Sequence, residues 1–132
     1  MGTFPGITHV AVTVTDPSVS VPWYERLFGS AAVLAEDTGP FHHTVFALDG
    51  GQLFGLHVFP DGDWSGGFDP RRPGLDHVAF TCANRDELEH WRGRLDALGI
   101  KHGGIVDAHY GSGLSFRDQD GIALELFAPP AS

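Results

Sequence analysis

Two segments of the chain alternate apolar residues with small or polar ones, which is the pattern of a strand with one buried face. In residues 9–14, three valines alternate with a histidine, an alanine and a threonine. Residues 77–82 repeat this arrangement, with valine, phenylalanine and cysteine on the apolar side. We therefore expect a strand at each place, with its apolar side under a helix and its other side facing open space.

Capping residues and apolar spacing predict a helix after each of these strands. Asp16 stands directly before a proline, as an N-cap residue does, and Asn84 stands three residues before Glu87, as in a capping box. An apolar stripe at helical spacing follows each cap, formed by Val19, Trp23 and Leu27 in the first helix and by Leu88, Trp91, Leu95 and Leu98 in the second. Gly29 and Gly99 are expected to end the two helices.

The two strand and helix pairs belong to a repeat that runs through the whole chain. Residues 6–27 align with residues 74–95 without a gap, with 8 identities in 22 positions. A two-residue insertion in the second copy then aligns the remainder of each half, so that Leu56 meets Leu126. Each half is therefore predicted to fold in the same way.

Three further short strands are expected in each half. They lie near 31–36, 43–49 and 52–59 in the first half, and near 103–107, 113–117 and 122–128 in the second. The glycine-rich segments 49–51 and 118–121 are read as hairpin turns that join the last two strands of each half, and Gly111-Ser112-Gly113 is read as a further turn.

The predicted fold is a single α+β domain over residues 1–132. Two βαβββ modules, residues 6–60 and residues 74–130, are joined by a linker at 61–73 that is rich in glycine and proline. We expect their strands to form a cupped, mostly antiparallel or mixed sheet.

The composition excludes several classes of function. The chain has 132 residues, of which 42% are hydrophobic, enough for one ordinary domain with a core. Its net charge of −9 repels phosphate backbones, so we expect no nucleic-acid partner. The chain has no long apolar run and no signal-peptide pattern, so we expect a cytoplasmic protein without a membrane span. Cys82 is the single cysteine, which excludes an internal disulfide.

Two of the eight histidines, His9 and His77, occupy the same place in the two halves of the repeat. Small neighbours on the same strand face leave open space above each of them. Glu125 lies in an apolar run of the last strand, where a carboxylate needs a partner. A structural histidine and a solvated glutamate are the commoner readings of such residues. The matched positions favour a divalent metal bound by His9, His77 and Glu125.

The segments around these residues resemble the vicinal oxygen chelate superfamily. The similarity lies in GITHVAVTVTD at 6–16, WYERLFG at 23–29, GLDHVAF at 74–80 and FRDQDGIALELF at 116–127. This superfamily includes glyoxalase I, extradiol dioxygenases, methylmalonyl-CoA epimerase, fosfomycin-resistance thiol transferases and bleomycin-binding proteins. The resemblance covers nearly the whole chain and implies the two-module fold described above.

The resemblance implies one metal ligand on the first strand and one on the last strand of each module. Carried onto this sequence, these positions are His9, Gly55, His77 and Glu125. Gly55 departs from the family pattern, in which glutamate, glutamine or histidine is found. The remaining two-histidine, one-glutamate set is similar to that of dioxygenases and fosfomycin-resistance enzymes, and it is expected to hold Fe, Mn, Zn or Ni.

His57 lies two residues after Gly55, so it shares the inward face of the same predicted strand. Three interpretations are open. His57 leans back to the metal, it acts as an acid or base on the substrate, or it packs at the rim without a chemical role. We count it among the catalytic candidates together with Glu125.

His109 and Tyr110 stand where similar enzymes line the substrate pocket, so both are catalytic candidates for orienting an anionic oxygen. A polar loop without a role is an equally good interpretation of this pair. Arg117 is a candidate for holding a substrate anion, and Arg71 and Arg72 in the linker are weaker ones.

The resemblance implies a metal-dependent enzyme that chelates adjacent oxygen atoms of a small-molecule substrate. The enzyme is then a lyase, an isomerase, a thiol transferase or a ring-cleaving dioxygenase. Dioxygenases of this superfamily usually have four modules, whereas this chain has two. The alternative is a metal-free protein of the bleomycin-resistance type, whose acidic charge suits a cationic drug. The resemblance also favours a homodimer, with the modules paired within one chain or exchanged between two.

Overall fold

The computed structural model describes residues 2–131, which fold as two compact units, the first ending at Ser65 and the second beginning at Gly66. Each unit contains one helix and one four-stranded mixed sheet, in the chain order βαβββ. The α+β fold of two repeated βαβββ modules that the sequence predicts is confirmed. Neither helix found in residues 2–131 combines the length and apolarity that a membrane span requires.

The first unit is built around a sheet in the order β1-β4-β3-β2. Its elements are β1 (His9–Thr13), α1 (Pro17–Phe28), β2 (Leu34–Asp37), β3 (His42–Ala47) and β4 (Leu53–Val58). The first strand runs parallel to the last one, and the other pairs are antiparallel. Residues from the two ends of the unit therefore meet at the β1–β4 pair.

The second unit repeats this topology with the strand order β5-β8-β7-β6. Its elements are β5 (Val78–Thr81), α2 (Arg85–Ala97), β6 (His102–Ala108), β7 (Gly111–Arg117) and β8 (Ala123–Ala128). Here too the first strand is parallel to the last one. In both units one sheet face packs against the helix, and we call the opposite one the open face.

Helix α1 begins as the sequence predicts, because Asp16 accepts a hydrogen bond from the backbone of Ser18 at 3.0 Å. The predicted apolar stripe is confirmed at Leu27, which is buried, whereas Val19 is 48% exposed and the other buried positions are Ser20 and Tyr24. The Tyr24 ring lies 5.3 Å from that of Phe54, between ring centroids, and takes the core position predicted for Trp23.

Helix α2 follows the prediction closely. Asn84 accepts a hydrogen bond from the backbone of Glu87 at 2.9 Å, and Leu88 and Leu95 are fully buried. The helix is capped at Leu98, and the following Gly99 has a left-handed φ of 73°. Glycine takes this conformation without a steric penalty, so the predicted end of the helix is confirmed.

The predicted hairpin turns at 49–51 and 118–121 are confirmed, whereas the turn predicted at Gly111-Ser112-Gly113 is wrong. Strand β7 already begins at Gly111, so the chain reverses at His109 and Tyr110. A Cβ atom on Gly111 would collide with the Phe127 ring and would lie 2.5 Å from the Ala128 carbonyl oxygen. Gly111 is therefore a strand residue whose lack of a side chain lets β8 pack close to it.

Candidate metal and substrate site

The second unit brings His77 and Glu125 together on its open face. His77 directly precedes β5, and Glu125 lies in β8 opposite Ala79 in the parallel pair. The Nε2 atom of His77 lies 3.6 Å from Oε1 of Glu125. Both side chains are partly accessible, with 47% of His77 and 23% of Glu125 exposed, so a ligand can reach them from the open face.

The residue before each predicted histidine ligand contacts Nδ1 of the imidazole ring. Asp76 accepts a hydrogen bond from Nδ1 of His77 at 2.7 Å, and Thr8 Oγ1 lies 2.8 Å from Nδ1 of His9. Nε2 of His77 is thereby left for a ligand, as outer hydrogen bonds do for histidines that bind metals, and the contact with Thr8 occupies Nδ1 of His9. Sequence reasoning missed Thr8 and Asp76, although their matched place before each histidine was a usable signal.

In the first unit, His57 fills the space above Gly55. Gly55 lies in β4 opposite Ala11, on the open face that also carries His9. A Cβ atom placed on Gly55 would lie 3.7 Å from Nε2 and 3.8 Å from Cδ2 of His57. The imidazole therefore leans back along its strand and covers the glycine.

The His57 ring is held by aromatic neighbours. Phe41 stacks on it with 4.4 Å between ring centroids and 17° between planes. His43 meets it edge-on at 5.9 Å, and Nε2 of His43 donates to Oε1 of Glu36 at 3.0 Å. Burial, followed by the nearby His43 and His9, lowers the pKa of the His57 imidazole, which favours the neutral ring that can bind a ligand or accept a proton.

The donor chemistry on the open faces fits a divalent transition metal. Imidazole nitrogen and carboxylate oxygen both bind Fe, Mn, Zn and Ni. Two donors that are each about 2.1 Å from one tetrahedral ion lie about 3.4 Å apart, close to the 3.6 Å between His77 Nε2 and Glu125 Oε1. Within residues 2–131, no group of three or more His, Cys, Asp or Glu side chains is gathered as a complete ligand set.

His109 and Tyr110 form the turn between β6 and β7. Their rings meet edge-on at 5.3 Å, and the Tyr110 ring lies parallel to that of Phe127 at 6.3 Å, with a 10° angle between planes. Phe127 shares the open face with Glu125, two residues away on β8. Tyr110 is 65% exposed, so this aromatic pair borders the open face at one end.

Arg117 borders the same face at the other end. Its Nη1 atom donates to the Gly121 carbonyl at 2.8 Å, and its guanidinium lies 5.8 Å above the centroid of the Phe68 ring. The linker arginines are engaged locally, since Arg71 pairs with Asp69 at 3.1 Å and Arg72 donates to the Gly66 carbonyl at 3.0 Å. Arg117 is therefore the better placed of the three for a substrate anion.

Cys82 is fully buried at the end of the first strand of the second unit. Burial, with a smaller effect from Glu87, raises the pKa of its thiol to about 11. The thiolate is the nucleophilic form, so this cysteine is not a reactive group at neutral pH.

Comparison with known proteins identifies the family and the fold. The family model described as glyoxalase/bleomycin resistance protein/dioxygenase superfamily matches residues 6–126. A glyoxylase/bleomycin resistance protein/dioxygenase domain from Frankia sp. EAN1pec has a TM-score of 0.87 and 28% identity, over 98% of this chain and 96% of that one. A mutant of the fosfomycin resistance protein FosX from Listeria monocytogenes, complexed with Mn(II) and 1S,2S-dihydroxypropylphosphonic acid, has a TM-score of 0.68 and 19% identity, over 94% of this chain and 92% of that one.

A curated relative is similar over a shorter stretch. The putative ring-cleaving dioxygenase MhqA of Bacillus subtilis (strain 168) is 36% identical over 52 residues, which is 39% of this chain. The matched part spans 16% of the length of that relative.

Proposed function

Because the chain belongs to the glyoxalase/bleomycin resistance protein/dioxygenase superfamily, we propose that it is a metal-dependent enzyme acting on a small molecule with adjacent oxygen atoms. The observation that carries this proposal is the pair of His77 Nε2 and Glu125 Oε1, 3.6 Å apart on the open face of the second unit. A hydrogen bond from Nδ1 of His77 to Asp76 keeps Nε2 free for an ion.

His9, His77 and Glu125 are proposed as the metal ligands. When bound, a divalent ion such as Fe, Mn, Zn or Ni supplies Lewis acidity toward substrate oxygen atoms and stabilises a developing oxyanion. Ala11 and Ala79 are exposed and small, so each leaves room above its own sheet. Glu125 is proposed as a catalytic group in addition to its role as a ligand, since a carboxylate there can also accept a substrate proton.

His109, Tyr110 and Arg117 are proposed to orient the substrate. The exposed Tyr110 ring and its neighbour Phe127 offer an apolar border to the open face. The Arg117 guanidinium keeps further N–H groups for a substrate anion after its bond to Gly121. His109, beside Tyr110, offers an imidazole to an anionic oxygen.

The names of similar proteins support a substrate that carries adjacent oxygen atoms. FosX was crystallised with Mn(II) and a dihydroxypropylphosphonic acid, and MhqA is named as a putative ring-cleaving dioxygenase. A lyase, an isomerase, a thiol transferase and a ring-cleaving dioxygenase are the proposed reaction classes. We also propose a homodimer, which sedimentation equilibrium tests directly.

A metal-free binding protein is the second candidate. The net charge of −9 favours this alternative, because an acidic protein attracts a cationic drug. Stoichiometric binding of a cationic glycopeptide such as bleomycin to metal-free protein, without product formation, would support it.

Metal analysis of protein purified without an affinity tag tests the leading proposal. We expect about one bound ion per chain in the wild type, reduced well below that in His77→Ala and Glu125→Ala, with Asp61→Ala as an exposed control. Assays with methylglyoxal and a thiol, with a catechol and with fosfomycin then identify the reaction class. Metal content that is low in the wild type and unchanged in the variants would refute the metalloenzyme.

A further inference from the structure

The two units differ at one equivalent position on their open faces. Gly55 lies opposite Ala11 in the β1–β4 pair, and Glu125 lies opposite Ala79 in the β5–β8 pair. In the second unit this position supplies the carboxylate that faces His77. In the first unit the same position has no side chain.

The imidazole of His57 occupies the place that a side chain at Gly55 would take. Its Nε2 atom lies 3.7 Å from the Cβ position of Gly55, although His57 itself is two residues further along β4 and pairs with Thr13. The ring therefore points back along the strand, toward the end of the open face at which His9 lies. A Cβ atom alone would fit beside the ring, so the space that His57 uses is that of a longer side chain at position 55.

The orientation of His57 is built by residues from neighbouring strands. Phe41, directly before β3, stacks on one side of the imidazole at 4.4 Å, and Phe59 lies 6.4 Å away. His43 meets the ring edge-on and is itself fixed by Glu36 on β2. A ring enclosed in this way loses less rotational freedom on binding an ion than a free surface histidine does.

We propose that His57 is a metal donor of the first unit and takes the part that Glu125 takes in the second. This inference rests on the proposed metal-dependent function and assigns it an additional ligand. Together with His9, His57 gives the first unit two imidazole donors and no carboxylate, which is a nitrogen-rich donor set. Such a set favours Fe(II), Ni, Co and Zn over the harder ions Mg and Mn.

Titration of metal-free protein with Co²⁺, followed by visible absorption, tests the assignment. We compare the wild type with His57→Phe, which retains a ring to stack on Phe41 but has no donor atom. Loss of one ligand is expected to lower the Co²⁺ affinity by about 100-fold and to change the absorption bands. His90→Ala removes an exposed histidine of α2 and is the matched control, with unchanged affinity and spectrum.

A compensating variant separates donation from packing. In His57→Ala combined with Gly55→Glu, a carboxylate from position 55 replaces the imidazole, and the Gly55 surroundings have room for a Cβ atom. We expect this double variant to regain Co²⁺ affinity relative to His57→Ala and to bind Mn²⁺ better than the wild type does.

The outcomes distinguish the two proposals. If Glu125→Ala loses Co²⁺ while His57→Phe keeps wild-type affinity and spectrum, the assignment of His57 is overturned and the metal-dependent function stands. If the wild type binds no Co²⁺, Zn²⁺ or Mn²⁺, both are overturned.

Discussion

Asp76 accepts a hydrogen bond from Nδ1 of His77 at 2.7 Å, so that Nε2 of the same ring faces Glu125. In the first unit the hydroxyl of Thr8 takes the place of the carboxylate beside His9. A carboxylate orients an imidazole and also strengthens its donor nitrogen, whereas a hydroxyl carries no charge. Both histidines are therefore held through Nδ1, but only His77 has a negatively charged partner.

Replacement of Asp76 by alanine should therefore weaken metal binding without unfolding the chain. We expect the affinity for Zn²⁺ to fall by about 10- to 100-fold, because outer partners of ligating histidines contribute that much. Competition with a coloured chelator measures the affinity, and thermal unfolding of the metal-free protein checks stability. Asp61→Ala is the control, and equal affinities in the two variants would contradict the role of Asp76.

Gly113→Ala should disturb Glu125 and leave the fold intact. A Cβ atom at position 113 would lie 2.6 Å from Oε2 of Glu125, at the far end of a flexible side chain that can move away. We expect metal affinity to fall by about tenfold or more, as for other displaced ligand partners, with little change in unfolding temperature. Gly103→Ala in β6 is the control, since its nearest neighbour, the Ser115 carbonyl oxygen, is 3.9 Å away. A Gly113→Ala protein with wild-type metal affinity would contradict this effect of position 113 on the Glu125 carboxylate.

Gly111→Ala should have the opposite effect, a loss of stability. The new Cβ atom would meet the Phe127 ring and the Ala128 carbonyl oxygen, and the φ of 143° at Gly111 strains any residue with a side chain. Overpacking and backbone strain together should lower the free energy of unfolding by about 2–4 kcal/mol. Urea denaturation of the metal-free protein measures this, and a loss below that of Gly103→Ala would contradict the steric argument.

The Arg85–Asp107 pair should contribute stability that disappears in acid. Arg85 donates to both carboxylate oxygens of Asp107, at 2.9 Å and 3.0 Å, and with Ser112 it lowers the pKa of that carboxyl to about 2. A carboxyl whose pKa is lower in the folded state stabilises the fold above its unfolded pKa, and loses that effect as pH falls through its folded pKa.

Asp107→Asn should therefore be less stable than the wild type at pH 7, with the difference shrinking from about pH 4 downward, small at about pH 2 and absent at about pH 1. Both side chains are exposed, so we expect a small effect. Urea denaturation at several pH values measures it, and the Arg85→Gln background should remove most of the difference. A difference that stays undiminished at about pH 1 would point to packing in place of charge.

Local signals predicted much of the fold. The caps of both helices and the turns at 49–51 and 118–121 depend on residues close together in the chain, so the sequence alone revealed them. The buried face of α1 could not be read in the same way, because Val19 and Ser20 both begin stripes at helical spacing. Only the packing of Tyr24 against Phe54 decides between these stripes.

A glycine can stand in a turn or can leave space for a neighbouring side chain, and the sequence does not distinguish these two roles. Gly111 and Gly113 were read as turn residues, whereas the structure uses both for clearance, one for the Phe127 ring and the other for the Glu125 carboxylate. The need for clearance comes from β8, which lies far along the chain from the turn. A local pattern therefore could not have revealed it.

The candidate site was predictable where the repeat supplied a second copy. The matched positions singled out His9 and His77, and the apolar run singled out Glu125, which the structure sets beside His77. The direction of the His57 ring was beyond sequence reasoning, because it is fixed by Phe41, a residue from another part of the sheet.

Because the first and last strands pair in parallel, the proposed metal ligands of the second unit can meet only after the whole unit has been synthesised. His77 enters the second unit at its beginning and Glu125 at its end, and β5 and β8 bring them together. A nascent chain that has not yet released β8 from the ribosome would present His77 without its carboxylate. Metal capture would thus mark a finished unit, and the bound ion would then hold the folded form by mass action.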